Sequence, residues 1–286
     1  MTQELPAGKG AIVITGASTG IGKECALHLD RLGYRVFAGY RKEADAQSLR
    51  DMASERLTPI LLDVTGSESI AAAVEAVDAA TKFGPLLGLV NNAGVGVGGP
   101  LEYIPIDEVR WQFEVNVLGL IAVTQAFLPA LRRAPGARIV HIGSIAGKVT
   151  TPLMGPYCAS KHAVESISDA FRGELAPWGI HSCVVEPGMI ETPIWSKAND
   201  AIVEAETKFS AEARERYGSS FALMGRRFAK AAKAAAPAQL VADAVEHALT
   251  APRPKTRYLV GKDARAGAFL RWLLPDRGLE WVLSKT

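Results

Sequence analysis

Seven short apolar runs rich in β-branched residues recur along the chain, separated by longer amphipathic stretches, and no other feature restricts the fold as much. The runs are Ala11 to Thr15, Arg35 to Tyr40, Pro59 to Leu62, Leu86 to Asn91, Ala137 to Ile142, His181 to Glu186 and Tyr258 to Val260. Between them lie helix-length segments at Ile21 to Leu32, Glu43 to Met52, Glu68 to Thr81, Asp107 to Arg132, Tyr157 to Trp178 and Leu240 to Leu249. Such alternation predicts a parallel sheet with crossover helices, and strands apolar on both faces predict a sheet covered on both sides. Right-handed crossovers then spread the helices over the two faces. The expected fold is α/β: one domain, residues 1–286, on a doubly wound parallel seven-stranded sheet flanked by helices.

Composition narrows the partners. With 32 basic against 30 acidic residues, the chain carries +2 and has no broad field for holding nucleic acid. Three widely spaced cysteines, Cys25, Cys158 and Cys183, suit neither a disulfide framework nor a zinc site, so a reducing compartment and no metal are expected. Met1 to Gly10 has no apolar stretch of signal length, and no unbroken run approaches the roughly 18 apolar residues of a spanning helix. The expectation is a cytoplasmic chain with no transmembrane span.

One region breaks the rhythm. Met189 to Pro237 is too long for a plain connection and is expected to be a helical lid over a substrate site. Ile194, Trp195, Phe209, Tyr217, Phe221, Leu223, Met224 and Phe228 are its candidates for an inward face.

The first run leads into Thr15-Gly16-Ala17-Ser18-Thr19-Gly20-Ile21-Gly22 and then a helix. Strand, glycine loop and helix start make an anion site, because free backbone N–H groups and the positive helix end point at a diphosphate. Gly16 suits the tight turn, Gly20 the close approach and Gly22 the helix-to-strand packing. The spacing is GxxxGxG rather than GxGxxG, and a glycine-rich turn without a ligand is the alternative. After the second run, Tyr40-Arg41-Lys42 offers no carboxylate to a ribose 2′-hydroxyl but a cation to a 2′-phosphate, which favours NADP over NAD. Glu43 softens that preference. Asp63, followed by Val64, can reach an adenine amino group or simply form a turn.

Tyr157 and Lys161 stand four positions apart on one helix and share a face. An ammonium about 4 Å from a phenol, at an effective dielectric near 20, is worth on the order of 4 kcal/mol, about three pKa units. Tyr157 is thereby expected to act as a general acid–base near neutrality. Ser144, thirteen positions earlier, can bind the same substrate oxygen.

Together with Asn91-Asn92-Ala93-Gly94, Asn116 within Val115-Asn116-Val117, and Pro187-Gly188 with Thr192, these residues resemble the short-chain dehydrogenase/reductase family over Ala11 to Pro193. The resemblance implies a Rossmann-like domain and an NADP- or NAD-dependent oxidoreductase. It implies that Tyr157 moves the substrate proton, Ser144 orients the reacting oxygen, Lys161 lowers the Tyr pKa and binds the nicotinamide ribose, and Asn116 links a relay water to Lys161. Gly16, Ser18, Thr19, Gly20, Ile21, Gly22, Arg41, Asp63, Val64, Asn92, Ala93, Gly94, Pro187, Gly188 and Thr192 would hold the cofactor. A homodimer or homotetramer through the helices beginning near Asp107 and Tyr157 is also implied.

Val95, Val97, Ala146, Met154, Met189, Ile194 and Trp195 are the expected substrate contacts, nearly all apolar, which suits a hydrophobic secondary alcohol or ketone such as a steroid, retinoid or β-keto compound. The apolar tail, residues 264–286 with Phe269, Trp272, Leu273 and Trp281, is open to three uses: covering the pocket, filling a subunit interface, or lying on a membrane surface. Two other functions remain at this stage: a nucleotide-sugar epimerase or dehydratase, and a cofactor-sensing protein without chemistry.

Overall fold

The computed structural model describes residues 9–81, 85–192 and 209–285. The seven strands are β1 (Ala11–Ile14), β2 (Arg35–Tyr40), β3 (Leu57–Leu61), β4 (Leu86–Asn91), β5 (Arg138–Ile142), β6 (His181–Pro187) and β7 (Arg257–Val260). They form one sheet in the order β3-β2-β1-β4-β5-β6-β7, every pair parallel. The seven-stranded doubly wound sheet is as expected, with strand ends moved by one or two residues.

Helices α1 (Gly20–Arg31), α2 (Glu43–Arg50) and α3 (Ser67–Ala80) follow the first three strands. Next come α4 (Ile106–Phe113), a π-helical turn (Glu114–Leu118) and α5 (Gly119–Arg132), then α6 (Gly155–Leu175), α7 (Ala211–Lys233) and α8 (Gln239–Thr250). The chain closes with α9 (Lys262–Leu273) and α10 (Asp276–Lys285). Alternate side chains of each strand enter opposite cores, which is why the runs are apolar throughout. Val13 and Phe37 pack with Val77, Val123 and Phe127 of α3 and α5, while Ile12, Ile14 and Val36 pack with Leu29, Val241 and Val245 of α1 and α8. Each such side chain contributes roughly 1.5–3 kcal/mol by leaving water.

The stretch Ile106–Arg132 does reach the length and hydropathy of a membrane span, which a search for unbroken apolar runs passes over. Most of it is buried against the sheet, Val123, Phe127 and Leu131 completely, so its apolarity is that of a core helix. Trp111 and Leu118 on the same stretch, where subunits were expected to pair, are exposed.

The lid region keeps its expected helix. Its base is tied to the sheet end: Ala236 N–H donates to the Met189 carbonyl at 2.9 Å, and Glu191 N–H to the Ala236 carbonyl at 2.9 Å. Phe209, Ala213 and partly buried Phe221 pack with Ile104 and Val97, and a Cβ on Gly99 would overlap the Phe209 ring. Met224 is buried as expected. Leu223 is exposed, because it sits one position before Met224, about a hundred degrees round the helix. Ile194 and Trp195 lie outside the described residues. In the tail only Leu279 is fully buried among the large apolar residues; Trp272 is 79% and Trp281 65% exposed. Leu283 faces a cleft of about 500 Å³ shared with Leu153 and Met224.

Candidate active site

The sheet order reverses between β1 and β4, and at such a switch point the loops leaving the carboxyl ends of the strands part to form a crevice. The chain leaves β1 through Gly16, φ +60°, and Gly20, φ +55°, a backbone conformation that costs a side chain roughly 1–2 kcal/mol. A Cβ on Gly16 would lie 2.8 Å from Ala93 Cα, and one on Gly22 would overlap Asn92 Nδ2 and the Gly16 carbonyl oxygen. Thr15 Oγ1 accepts from the Asn92 and Ala93 N–H groups at 3.0 and 2.9 Å. Asn92 Nδ2 donates to the Thr15 and Gly16 carbonyls at 3.0 and 2.8 Å. The loops after β1 and β4 are therefore one unit. Thr19 is exposed and Ser18 half-buried, while Ile21 packs against the core beneath α1. Helix α1 starts with no side-chain cap and no acid in its first turn, leaving its positive end to an anion. The glycine cradle and this helix start fit the diphosphate of a nicotinamide dinucleotide.

Arg41 and Lys42 are exposed at the end of β2. Glu43 does not offset them: its carboxylate accepts from Tyr40 Oη at 2.8 Å and from Arg50 at 3.2 Å. These two hydrogen bonds hold it below the usual carboxylate range. Asp63 Oδ1 accepts from Thr65 N–H at 3.0 Å and Thr65 Oγ1 at 2.8 Å, so at least one of its oxygens serves the turn. Buried Val64 lies against Gly119, where a Cβ would be 2.8 Å from Val64 Cγ2.

Ser144, at the end of β5, accepts from Ala146 N–H at 3.1 Å, which orients its hydroxyl. That hydroxyl also lies close enough to the Tyr157 phenol to favour its ionised form. Lys161 is buried, and its Nζ donates to the Ile142 carbonyl at 2.8 Å and stands 5.8 Å from the centre of the Tyr157 ring. A Cβ on Gly94 would lie 3.4 Å from Asn116 Oδ1 and 3.8 Å from Lys161 Nζ, and one on Gly96 would be 3.9 Å from Tyr157 Cδ2. Ser144, Tyr157, Lys161, Asn116 and the Gly94 loop thus converge. Pro187 and Gly188 close the β6 side, where Ser144 Oγ lies 3.5 Å from the Pro187 carbonyl oxygen. Thr192 is the last described residue before the lid.

One expectation changes and one residue shows a further task. Asn116, in the π-helical turn, accepts from Val95 N–H at 2.8 Å and donates to the Val95 carbonyl at 3.0 Å and Ser160 Oγ at 3.1 Å. Its side chain builds the loop beside Lys161. The Tyr157 phenol is held above its ordinary value, because burial outweighs the lowering by Ser144. The ammonium expected to lower it is itself pulled down to about 8 by burial, with Glu165 opposing, and its Nζ stands 5.8 Å from the ring centre.

Three further residues shape the site without having been singled out from sequence. Gln112, one helical turn before Asn116, accepts from Val97 N–H and donates to the Val95 carbonyl, both at 2.6 Å, and that i, i+4 spacing was a usable signal. Asp263 accepts from Met189 N–H at 2.6 Å and fills the space a Cβ on Gly188 would need; nothing local marks it. Leu153, φ +66°, accepts from Gly99 N–H at 2.7 Å and sets Met154 against Gly98. Of the expected substrate contacts, Val95 packs against the core under α3 and α5 and Val97 against Ile104 and Phe209, while Ala146 N–H is bound to Ser144 Oγ and Met189 N–H to Asp263.

Relatives agree with this geometry. The chain is 37% identical to human retinol dehydrogenase 16 over 95% of its own length and 88% of that protein's. It is 35% identical to an NADPH-dependent 3-dehydrocapnine reductase of Ornithobacterium rhinotracheale over 96% and 95%, and 37% identical to bovine 17-beta-hydroxysteroid dehydrogenase type 6 over 96% and 88%. A short-chain dehydrogenase from Burkholderia cenocepacia, solved with NADP, superimposes with a TM-score of 0.72 at 25% identity over 96% of each chain. The family model for short chain dehydrogenases matches residues 10–202, and the protein is therefore a member of the short-chain dehydrogenase family, an oxidoreductase.

Proposed function

We propose that the protein is an NADP(H)-dependent oxidoreductase that interconverts an alcohol and its carbonyl compound on a hydrophobic molecule, the secondary alcohol and ketone of a steroid or the primary alcohol and aldehyde of a retinoid. The observation carrying this reading is the convergence of Tyr157, Ser144 and Lys161 beside the Gly94 loop at the switch point. The relatives named for retinol and hydroxysteroid substrates support the substrate class.

A bound nicotinamide supplies or accepts the hydride. In reduction, Ser144 Oγ holds the carbonyl oxygen and the Tyr157 hydroxyl gives it a proton as the carbon becomes a carbinol; oxidation reverses both. The buried Lys161 side chain, anchored on the Ile142 carbonyl, holds the nicotinamide ribose. Asn116 and Gln112 keep the Val95–Val97 backbone in place, so that carbonyl, phenol and cofactor meet in one geometry, which supplies rate through positioning. Raised by burial, the phenol favours its protonated form, the form that a proton donor has before reduction.

With NADPH, the purified protein is expected to reduce retinal or steroid ketones and to ignore short polar keto acids, read as loss of NADPH absorbance. Activity confined to the polar acids would overturn the substrate class. Arg41→Asp is expected to shift the NADPH-to-NADH ratio of kcat/KM on the order of a hundredfold toward NADH, since a charge-assisted phosphate contact becomes a repulsion. Equal loss with both cofactors would assign Arg41 to structure alone.

A further inference from the structure

Ser144 is held from two segments that lie far apart in the chain. Its Oγ accepts from Ala146 N–H at 3.1 Å within its own turn, and it lies 3.5 Å from the Pro187 carbonyl oxygen at the end of β6. The second contact is too long to keep the hydroxyl proton, which is left for a substrate oxygen. The hydroxyl can meet that oxygen in one geometry only if the turn and the end of β6 keep a fixed separation.

The turn is tied down along its length. At its entry Gly143 N–H donates to the Val185 carbonyl of β6 at 2.8 Å, and a Cβ on Gly143 would lie 2.5 Å from Val184 Cγ1. In its middle Gly147 N–H donates to the Ser144 carbonyl at 2.9 Å, and a Cβ on Gly147 would lie 2.9 Å from the Lys161 carbonyl oxygen of α6. At its exit the backbone returns to the turn itself, the Lys148 and Val149 N–H groups donating to the Ile145 carbonyl at 2.9 and 3.0 Å. There the half-buried Lys148 side chain reaches outward, placing Nζ 3.0 Å from Glu186 Oε1 and 3.8 Å from Glu165 Oε2.

Glu186 directly precedes Pro187 and is fully buried. The Lys148–Glu186 ion pair therefore joins the turn that supplies the Ala146 donor to the strand end that supplies the Pro187 acceptor. Neither Glu186 oxygen has a hydrogen-bond donor among the described residues, so its charge is answered by ion pairs, which a buried carboxylate cannot lose cheaply. Arg257 of β7 stands 3.5 Å from Glu186 Oε1, but its hydrogen bonds go to Glu165 and Asp169, both at 2.8 Å, so it braces β7 against α6. Arg172 completes the group by donating to Asp169 at 2.6 Å. Burial and the Glu165 charge push the Glu186 carboxyl up to about 7, and Lys148 opposes them.

We propose that Lys148 and Glu186 are positioning residues for the reaction, an ion pair that fixes the Ser144 hydroxyl between Ala146 and Pro187. The inference rests on the role given to Ser144 under the proposed function.

The test measures kcat and KM for NADPH-dependent reduction of retinal or a steroid ketone at about pH 8, above the Glu186 value of about 7, with NADPH affinity by calorimetry. Lys148→Met, which keeps the stem and loses the charge, is expected to lower kcat roughly tenfold and to leave NADPH affinity unchanged. Lys148→Arg, which keeps a cation, is expected to restore most of the loss. Glu186→Gln, of the same shape, is expected to lower kcat alike and guards against a Met variant that folds poorly. Asp169→Asn, which loses an Arg257 contact without touching the turn, is expected to leave kcat in place. The deciding measurement is the cycle with Ser144→Ala, which is expected to lower kcat ~10²–10³-fold. On that background Lys148→Met is expected to cost less than about twofold, because a hydroxyl that is gone cannot be misplaced. Equal losses on both backgrounds, or wild-type kcat in Lys148→Met beside an impaired Ser144→Ala, would overturn this inference alone. A wild type that reduces neither substrate, or a Ser144→Ala variant as active as the wild type, would overturn the functional reading and this inference with it.

Discussion

Tyr157→Phe is expected to lower turnover by ~10²–10⁴-fold, the range that a positioned general acid supplies, while NADPH affinity changes little. The substitution removes one atom. The ring keeps its place beside Gly96, because the neighbouring atom there is the ring carbon Cδ2 rather than the hydroxyl. The lost hydroxyl leaves Ser144 with its Ala146 hydrogen bond intact, so folding stability is expected to change by no more than about 1 kcal/mol. Single-turnover reduction and NADPH calorimetry on the same preparation separate chemistry from binding. Retention of more than a tenth of wild-type turnover would remove Tyr157 from the mechanism, because among the described residues the neighbouring thiol does not replace it: Cys158, next along the helix, points at the Val149 carbonyl and burial pushes it above its ordinary range.

The second large effect is expected at Gly22→Ala. Its methyl group has nowhere to go: the Gly16 carbonyl oxygen and the Asn92 amide occupy the space, and both belong to the unit that joins the β1 and β4 loops. Making room shifts α1 away from the cradle. A loss of NADPH affinity on the order of a hundredfold or more is expected, with destabilisation of roughly 1–3 kcal/mol from overpacking. Gly173→Ala is the companion measurement. That glycine lies inside α6 with open space around its Cβ position, so alanine there is expected to stabilise the fold by roughly 0.5–1 kcal/mol and leave NADPH binding unchanged. Normal NADPH affinity in Gly22→Ala would mean that the diphosphate does not lie on this loop.

Much of the site was legible because its residues carry local signatures. Gly16, Gly20 and Gly22 are separated by turn geometry, and Tyr157 and Lys161 by one helical turn; both spacings are short-range and survive in a linear text. The proton affinities were not legible. A phenol and an amine four residues apart suggest a lowered phenol, but the outcome depends on what buries them and on where the amine points, and here Lys161 is drawn to the Ile142 carbonyl of a strand nineteen residues earlier. Asn116 was recognisable as a position, yet its side chain answers to Val95 and Ser160. Asp263 and Glu186 belong to the same category: their partners come from other strands and helices, so no pattern of spacing announces them.

The amino-acid sequence alone determined the alternation of strands and helices, the double covering of the sheet and the glycine turn into α1, because hydrophobic period and backbone conformation are properties of consecutive residues. Only the tertiary structure decided which charges meet beneath the Ser144 turn, how the β1 and β4 loops lock through Thr15 and Asn92, and which apolar residues of the lid and tail face inward. Those are contacts between distant segments, and their energies depend on burial and on distances that exist only once the sheet has assembled.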